Sequence, residues 1–145
     1  MMRTLIVPGL DGSPAPHWQH WWSGQGRGAL MVDLSDPARP DPRRWEEELA
    51  GMILQHPGAV LVGHSLGAVL IARLLALWPR AEVAAALLVA PADPVGHDRI
   101  SSFGPIPEVM LPVPALVVAS RNDPWMRFDR AAGLAEAWGA DLIDY

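Results

Sequence analysis

The stretch of sequence that decides the fold is Ala59-Val60-Leu61-Val62-Gly63-His64-Ser65-Leu66-Gly67. Its first four residues are apolar, as in a buried strand, and the segment that begins at Ser65 has the apolar spacing of a helix. The last five residues fit the pattern Gly-x-Ser-x-Gly, which at a junction of strand and helix predicts a nucleophile elbow. In such an elbow the turn is too tight for side chains at the glycine positions, and the serine hydroxyl is held above the sheet. The simpler alternative is a serine that caps the helix, beside two glycines that allow close packing.

Apolar runs that predict strands alternate with longer helical patterns along the whole chain. The predicted strands are residues 4–7, 29–34, 59–62, 83–90, 115–120 and 140–145. The predicted helices are residues 15–22, a segment that Asp41 and Pro42 start and that continues to Ile53, then 65–78 and 127–138. Because the strands are continuously apolar, helices should cover both faces of a mostly parallel sheet. The sequence predicts a single α/β domain over residues 1–145, with three layers and about six strands.

The helical spacing also predicts which apolar side chains share a helix face. Trp18, Trp21 and Trp22 share one face of the first predicted helix. In the helix after the elbow, the residues expected to face the core are Leu66, Val69, Leu70, Leu74 and Leu77. Residues 91–112 form a long connection rich in proline and glycine, of the kind that often covers a site.

Composition excludes several classes of function. The 145 residues include no cysteine, and 11 Lys+Arg against 16 Asp+Glu give a net charge of −5. Disulfides, cysteine-ligated metals and a cysteine nucleophile are therefore excluded. No basic run, apolar membrane span or zinc-binding histidine motif is present, so we expect no nucleic-acid partner, no membrane association, no metal and no cofactor. With no recognisable export signal, the expected location is cytoplasmic. The oligomeric state stays open.

Three further positions complete a predicted hydrolytic site. The N–H of Leu66, directly after the serine, and the N–H of Leu10, in the glycine-containing loop after the first strand, are candidates for an oxyanion hole. Asp123, just past the fifth predicted strand, is the candidate acid that would orient a histidine. Asp93, which follows the preceding strand, is the less favoured alternative. Either aspartate could instead form only a local turn or helix cap.

The histidine of a catalytic triad has no clear candidate. A triad of this order places the base after the acid, but all five histidines precede Asp123; they are His17, His20, His56, His64 and His97. His17 and His64, together with Trp18 and Trp125, are expected to line the substrate pocket. His97 could reach the site only if the long connection folds over it. The other two histidines are expected on helix surfaces.

The chain resembles the RBBP9/YdeN family of small serine hydrolases along essentially its whole length. The residues that carry the resemblance are Pro8-Gly9, Pro16-His17-Trp18, Trp45, the elbow, Ala90-Pro91 and Ser120-Arg121-Asn122-Asp123-Pro124-Trp125. The resemblance implies a compact α/β-hydrolase-like fold and a triad in which Ser65 is the nucleophile and Asp123 the acid. Relatives carry the base in a histidine-containing turn after the last strand. Since the sequence stops at Tyr145, we expect it to be part of a longer product; a truncated inactive protein and a substitute histidine are the alternatives.

Two functions of different kinds are compatible with these residues. The favoured one is a serine hydrolase that cleaves small carboxylic esters, and by extension activated amides, through an acyl-enzyme on Ser65. The alternative is a catalytically inactive binding protein that keeps the hydrolase fold, since four of its tryptophans could line an open apolar site; they are Trp18, Trp21, Trp22 and Trp125. Labelling of the serine by a fluorophosphonate discriminates between the two.

Overall fold

A computed structural model describes residues 3–13, 17–24 and 28–145 of the protein. The strands are β1 (Thr4–Val7), β2 (Ala29–Met31), β3 (Ala59–His64), β4 (Val83–Val89), β5 (Ala115–Ala119) and β6 (Asp141–Asp144). The helices are α1 (Trp18–Ser23), α2 (Pro42–Gln55), α3 (Leu66–Leu77) and α4 (Phe128–Trp138), with a 3₁₀ helix at Asp98–Phe103. No helix in this described part of the chain has the length and apolar character needed to cross a bilayer.

The six described strands form one sheet in the order β2-β1-β3-β4-β5-β6, and every neighbouring pair is parallel. The prediction of a parallel α/β sheet of about six strands is confirmed. The winding direction reverses between β1 and β3, which are neighbours in the sheet although β2 separates them in sequence. Ligands of open α/β sheets bind at the carboxyl ends of the strands beside such a reversal.

The helix boundaries follow from the capping residues identified in the sequence. The Asp41 carboxylate accepts a hydrogen bond from the Arg44 N–H at 2.9 Å, and Pro42 occupies the first turn of α2. Helix α4 ends at Gly139, whose φ of 69° is left-handed. Strand β2 is shorter than predicted, since it ends at Met31. The residues after it still belong to the core, because Val32 donates to the Ile6 carbonyl at 2.8 Å and is 1% exposed.

Helix α3 is the centre of the core, and the prediction for one of its residues is wrong. Every position from Leu66 to Ala72 is buried, as are Leu74 and Leu75. Leu77 in the last turn, predicted to face inward, is 70% exposed. A helix that is apolar on nearly all sides gives no stripe from which the inward positions can be identified.

The tryptophan face of α1 is not its buried face. The helix begins at Trp18 rather than residue 15, and residues 15 and 16 lie outside the described part of the chain. Trp21 is 65% exposed, whereas Gln19 is fully buried. The Gln19 amide is held inside because it donates hydrogen bonds to the backbone carbonyls of Val7 in β1 and Val62 in β3. Hydrogen bonding of a buried polar group has overridden the apolar pattern.

The long connection after β4 folds back over the carboxyl ends of the strands. Its anchors are four buried apolar residues, Ile100, Phe103, Ile106 and Leu111. Arg73 of α3 holds this connection from below by donating to the Phe103 carbonyl at 2.8 Å. Arg99 and Ile100 of this connection line a cavity that Ser65 also lines.

Candidate active site

Ser65 lies at a strained turn between β3 and α3. Its backbone has φ 57° and ψ −119°, a region that residues with a side chain rarely adopt. Ser65 occupies the N-cap position of α3, but its side chain forms no capping hydrogen bond. Its N–H donates to the Val89 carbonyl at 2.9 Å, which fixes the turn against β4. The hydroxyl is therefore not used for capping, in contrast to the simpler alternative.

The glycines on either side of Ser65 are required by contacts. A Cβ atom at Gly63 would lie 2.7 Å from Ile71 Cδ1 and 2.8 Å from the Ala68 Cα. A Cβ atom at Gly67 would lie 2.2 Å from the Val7 carbonyl oxygen. All three distances are far below van der Waals contact, so neither position accepts a side chain in this turn.

Two backbone N–H groups are close to the serine. Leu66 is the first residue of α3, so its N–H has no acceptor within the helix, and the positive end of the helix dipole lies there. The loop after β1 packs against this point, because a Cβ atom at Gly9 would be 3.2 Å from the Leu66 nitrogen and 3.3 Å from the Ser65 Cβ. Leu10, the next residue of that loop, lines the same cavity as Ser65 and Leu66.

Ser65 opens into a cavity of about 300 Å³ at the carboxyl ends of β1, β3, β4 and β5. The residues that line it include Leu10, His17, His64, Ser65, Leu66, Arg99, Ile100, Asp123 and Trp125. The structure thus brings together the predicted nucleophile, acid, oxyanion loop and three of the four predicted pocket residues. The fourth, Trp18, packs against the ring of His64 at a centroid distance of 5.7 Å instead of lining the cavity itself.

The two candidate aspartates differ in their access to the cavity. One Asp123 oxygen, Oδ1, accepts the Trp125 N–H at 2.8 Å, which fixes the carboxylate at the cavity wall and leaves Oδ2 available for a second donor. Asp93 forms a similar local turn with the Val95 N–H at 3.0 Å, but it does not line the cavity. The placement favours Asp123 over Asp93.

The wall beside Ser65 is aromatic and uncharged at neutral pH. The rings of His17 and His64 meet edge to face at a centroid distance of 4.7 Å. Burial, with a further contribution from the nearby His17, lowers the pKa of His64 to about 4. Burial also lowers the pKa of His17 below its usual value, and the His17 Nδ1 atom accepts the Gln19 N–H at 3.1 Å.

The other three histidines do not line the cavity. His97 stacks on Trp125 at a centroid distance of 4.5 Å, and its Nδ1 is 2.8 Å from the Asp93 carbonyl oxygen. His20 is exposed on α1, and His56 follows the last residue of α2. Within residues 3–13, 17–24 and 28–145, no histidine is hydrogen-bonded to the Ser65 hydroxyl.

Sequence reasoning did not identify two polar side chains that hold the site together. Arg99, on the 3₁₀ helix, binds both carboxylate oxygens of Asp11 at 2.7 and 3.2 Å and the Ala38 carbonyl at 2.9 Å, so it joins three loops at the cavity rim. Gln19 lies beneath the site, where it connects β1 to β3. For Gln19, the sequence gives one signal, which is a single amide side chain within a tryptophan-rich helix.

A serine at a strained strand–helix turn, with a carboxylate from a later strand on the same cavity, is the arrangement of the α/β-hydrolase fold. The sequence model of the serine hydrolase family matches residues 4–145, and the chain belongs to this family. Comparison with curated proteins gives no match.

Solved structures of hydrolases share this fold. A YdeN-like hydrolase from Pectobacterium atrosepticum superimposes with a TM-score of 0.88 at 30% identity, over 99% of this chain and 76% of that one. The ydeN gene product of Bacillus subtilis gives 0.81 at 22% identity, over 100% and 85% of the two chains. Est1E from Butyrivibrio proteoclasticus with bound ferulic acid gives 0.79 at 12% identity, over 100% and 79%. The expected relation to YdeN-type α/β hydrolases is confirmed.

Proposed function

We propose that the protein hydrolyses small carboxylic esters, and by extension activated amides, through an acyl-enzyme on Ser65. The observation that supports the proposal is the shared cavity of about 300 Å³, which is lined by Ser65 and Asp123 and by Leu10 and Leu66, the two residues of the proposed oxyanion hole. A cavity of this size, with neutral rings on one wall, suits a small uncharged acyl group.

In the proposed first step, the Ser65 Oγ forms a bond to the ester carbonyl carbon and loses its proton to a general base. The carbonyl oxygen becomes an oxyanion that accepts hydrogen bonds from the N–H groups of Leu10 and Leu66. Collapse of this intermediate breaks the bond to the alcohol, which leaves with the proton, and the acyl group stays on Ser65. Water then attacks the acyl carbon and gives its proton to the general base. The bond from this carbon to the Ser65 Oγ breaks, the serine regains a proton, and the carboxylic acid is released.

Asp123 is proposed to orient an imidazole through Oδ2, since Oδ1 is already held by the Trp125 N–H. We assign the base itself to none of the five histidines, because among the described residues none is hydrogen-bonded to the Ser65 hydroxyl. A hydrolase-fold protein that only binds its ligand is the second candidate, and this observation is the one that favours it.

The first test labels the protein with a fluorophosphonate, which forms a bond from phosphorus to the serine oxygen with loss of fluoride. Two proteins are treated with the probe. One consists of residues 1–145, and the other is the product of the complete reading frame that encodes them. We expect labelling that Ser65→Ala abolishes. Absence of labelling in both proteins, or labelling that persists in Ser65→Ala, would refute the hydrolase proposal in favour of the binding protein.

The second test separates the two aspartates with the same substitution. The assay is hydrolysis of p-nitrophenyl acetate by whichever of the two proteins is active. Asp123→Asn should lower kcat by about 10³- to 10⁴-fold, which is the size of effect known for loss of the orienting acid in a triad. Asp93→Asn is the matched control, because Asp93 forms the same type of turn outside the cavity. A larger loss of kcat in Asp93→Asn than in Asp123→Asn would show that Asp93 is the acid of the triad.

A further inference from the structure

A buried amide joins the two strand ends that carry the site. The Gln19 side chain is fully buried, and its Nε2 donates to the Val7 carbonyl at 3.0 Å and to the Val62 carbonyl at 3.2 Å. Its Oε1 accepts the Ser13 hydroxyl at 2.7 Å. Both amide hydrogens and one oxygen lone pair are therefore used, which fixes the orientation of the side chain.

The two carbonyls belong to the segments that lead into the proposed oxyanion hole and into the elbow. Val7 is the last residue of β1 and pairs with Gly63 of β3, one residue after Val62. The Val7 carbonyl also lies directly against the backbone of Gly67, where an added Cβ would be only 2.2 Å away. Displacement of Val7 therefore alters the contact between β1 and the first turn of α3.

From these contacts we propose that Gln19 is a positioning residue, which sets the distance between the Leu10 N–H and the Ser65 turn by tying β1 and β3 to one planar amide near their carboxyl ends. The proposal rests on the proposed function for the role of Leu10. It assigns no contact between Gln19 and substrate. We expect loss of the Gln19 hydrogen bonds to weaken binding of the transition state and not of the substrate, because the oxyanion develops only in the transition state.

The decisive variant is Gln19→Met, which keeps a long unbranched side chain but removes both N–H donors. We expect kcat for p-nitrophenyl acetate, and the rate constant for fluorophosphonate labelling, to fall by about 10- to 100-fold with KM nearly unchanged, less than for outright loss of an oxyanion donor. Ser13→Ala, which removes only the hydrogen bond to Oε1, should have a smaller effect in the same direction.

A second readout does not need activity. The N–H of Asp11 donates to Pro37 at 2.8 Å and the N–H of Gly12 donates to Gly9 at 3.0 Å, so their hydrogen exchange reports opening of the loop after β1. We expect both amides to exchange about tenfold faster in Gln19→Met, because the loop loses its anchor to β3.

The matched control is Trp138→Phe. It also removes a buried side-chain donor to a backbone carbonyl, the Pro107 oxygen at 2.7 Å, but on α4 outside the cavity. It should lower the unfolding temperature without changing kcat or loop exchange. Equal effects of the two variants on both readouts would overturn the proposal. If wild-type Ser65 is not labelled, the proposed function fails, and the exchange comparison alone decides whether Gln19 positions the loop.

Discussion

Gly67→Ala is the substitution for which the structure gives the sharpest expectation. The added methyl carbon would lie 2.2 Å from the Val7 carbonyl oxygen and 2.6 Å from the Pro8 carbonyl oxygen. Ordinary contact begins at 3.4 Å, so α3 and the end of β1 would have to separate by more than 1 Å. The obstructing atoms are backbone atoms of a buried strand and cannot rotate away. Overpacking of this kind costs typically 1–3 kcal/mol, and we expect about 3 kcal/mol here.

The assay is thermal unfolding of the purified protein, followed by circular dichroism. For a chain of this length, a loss of about 3 kcal/mol lowers the unfolding midpoint by roughly 10 °C. Gly133→Ala is the matched control, since a Cβ at this exposed position of α4 meets no atom within 4 Å. Alanine in a helix interior should stabilise by about 0.5–1 kcal/mol relative to glycine. Equal stability of Gly67→Ala and wild type would refute the reasoning about the elbow contact.

Two further predictions concern charge near the cavity. Because the pKa of His64 is lowered to about 4 in the folded protein, only the unfolded chain takes up this proton between pH 6.5 and 4, and stability should fall as the pH falls. This part of the loss, on the order of 2 kcal/mol, should disappear in His64→Gln when urea midpoints are compared across the range. For the exposed Arg99–Asp11 pair, Arg99→Gln and Asp11→Asn should each lower kcat/KM, and the double variant should be no worse than either single one. Additive losses would show that the two side chains do not act as a unit.

Local patterns in the sequence were sufficient to predict the sheet and the tight turn at Ser65. The elbow is defined by residues within a few positions of Ser65, and the apolar runs define the strands without reference to distant residues. The closeness of Asp123 to Ser65 followed from a general property of parallel sheets, whose carboxyl ends meet at one edge.

The features that the sequence did not predict depend on contacts between distant residues. Gln19 meets Val62 across 43 positions, and Arg99 meets Asp11 across 88. Nothing near either residue in the sequence specifies its partner. The same limit explains Trp21 and Leu77, which are exposed although both are large and apolar, because burial depends on which neighbours the topology supplies.

The separate anchoring of the connection after β4 has a consequence for how specificity can change. The proposed reacting groups are fixed by strand ends and by α3. Arg99 and Ile100 reach the cavity from a segment that is anchored to the core by its own buried apolar residues. If the proposed function holds, we expect substrate preference and chemical competence to be encoded in different stretches of the gene. Libraries that keep Arg99 and randomise the other exposed positions of residues 94–110 should yield variants with altered ester selectivity while Ser65 still reacts with a fluorophosphonate.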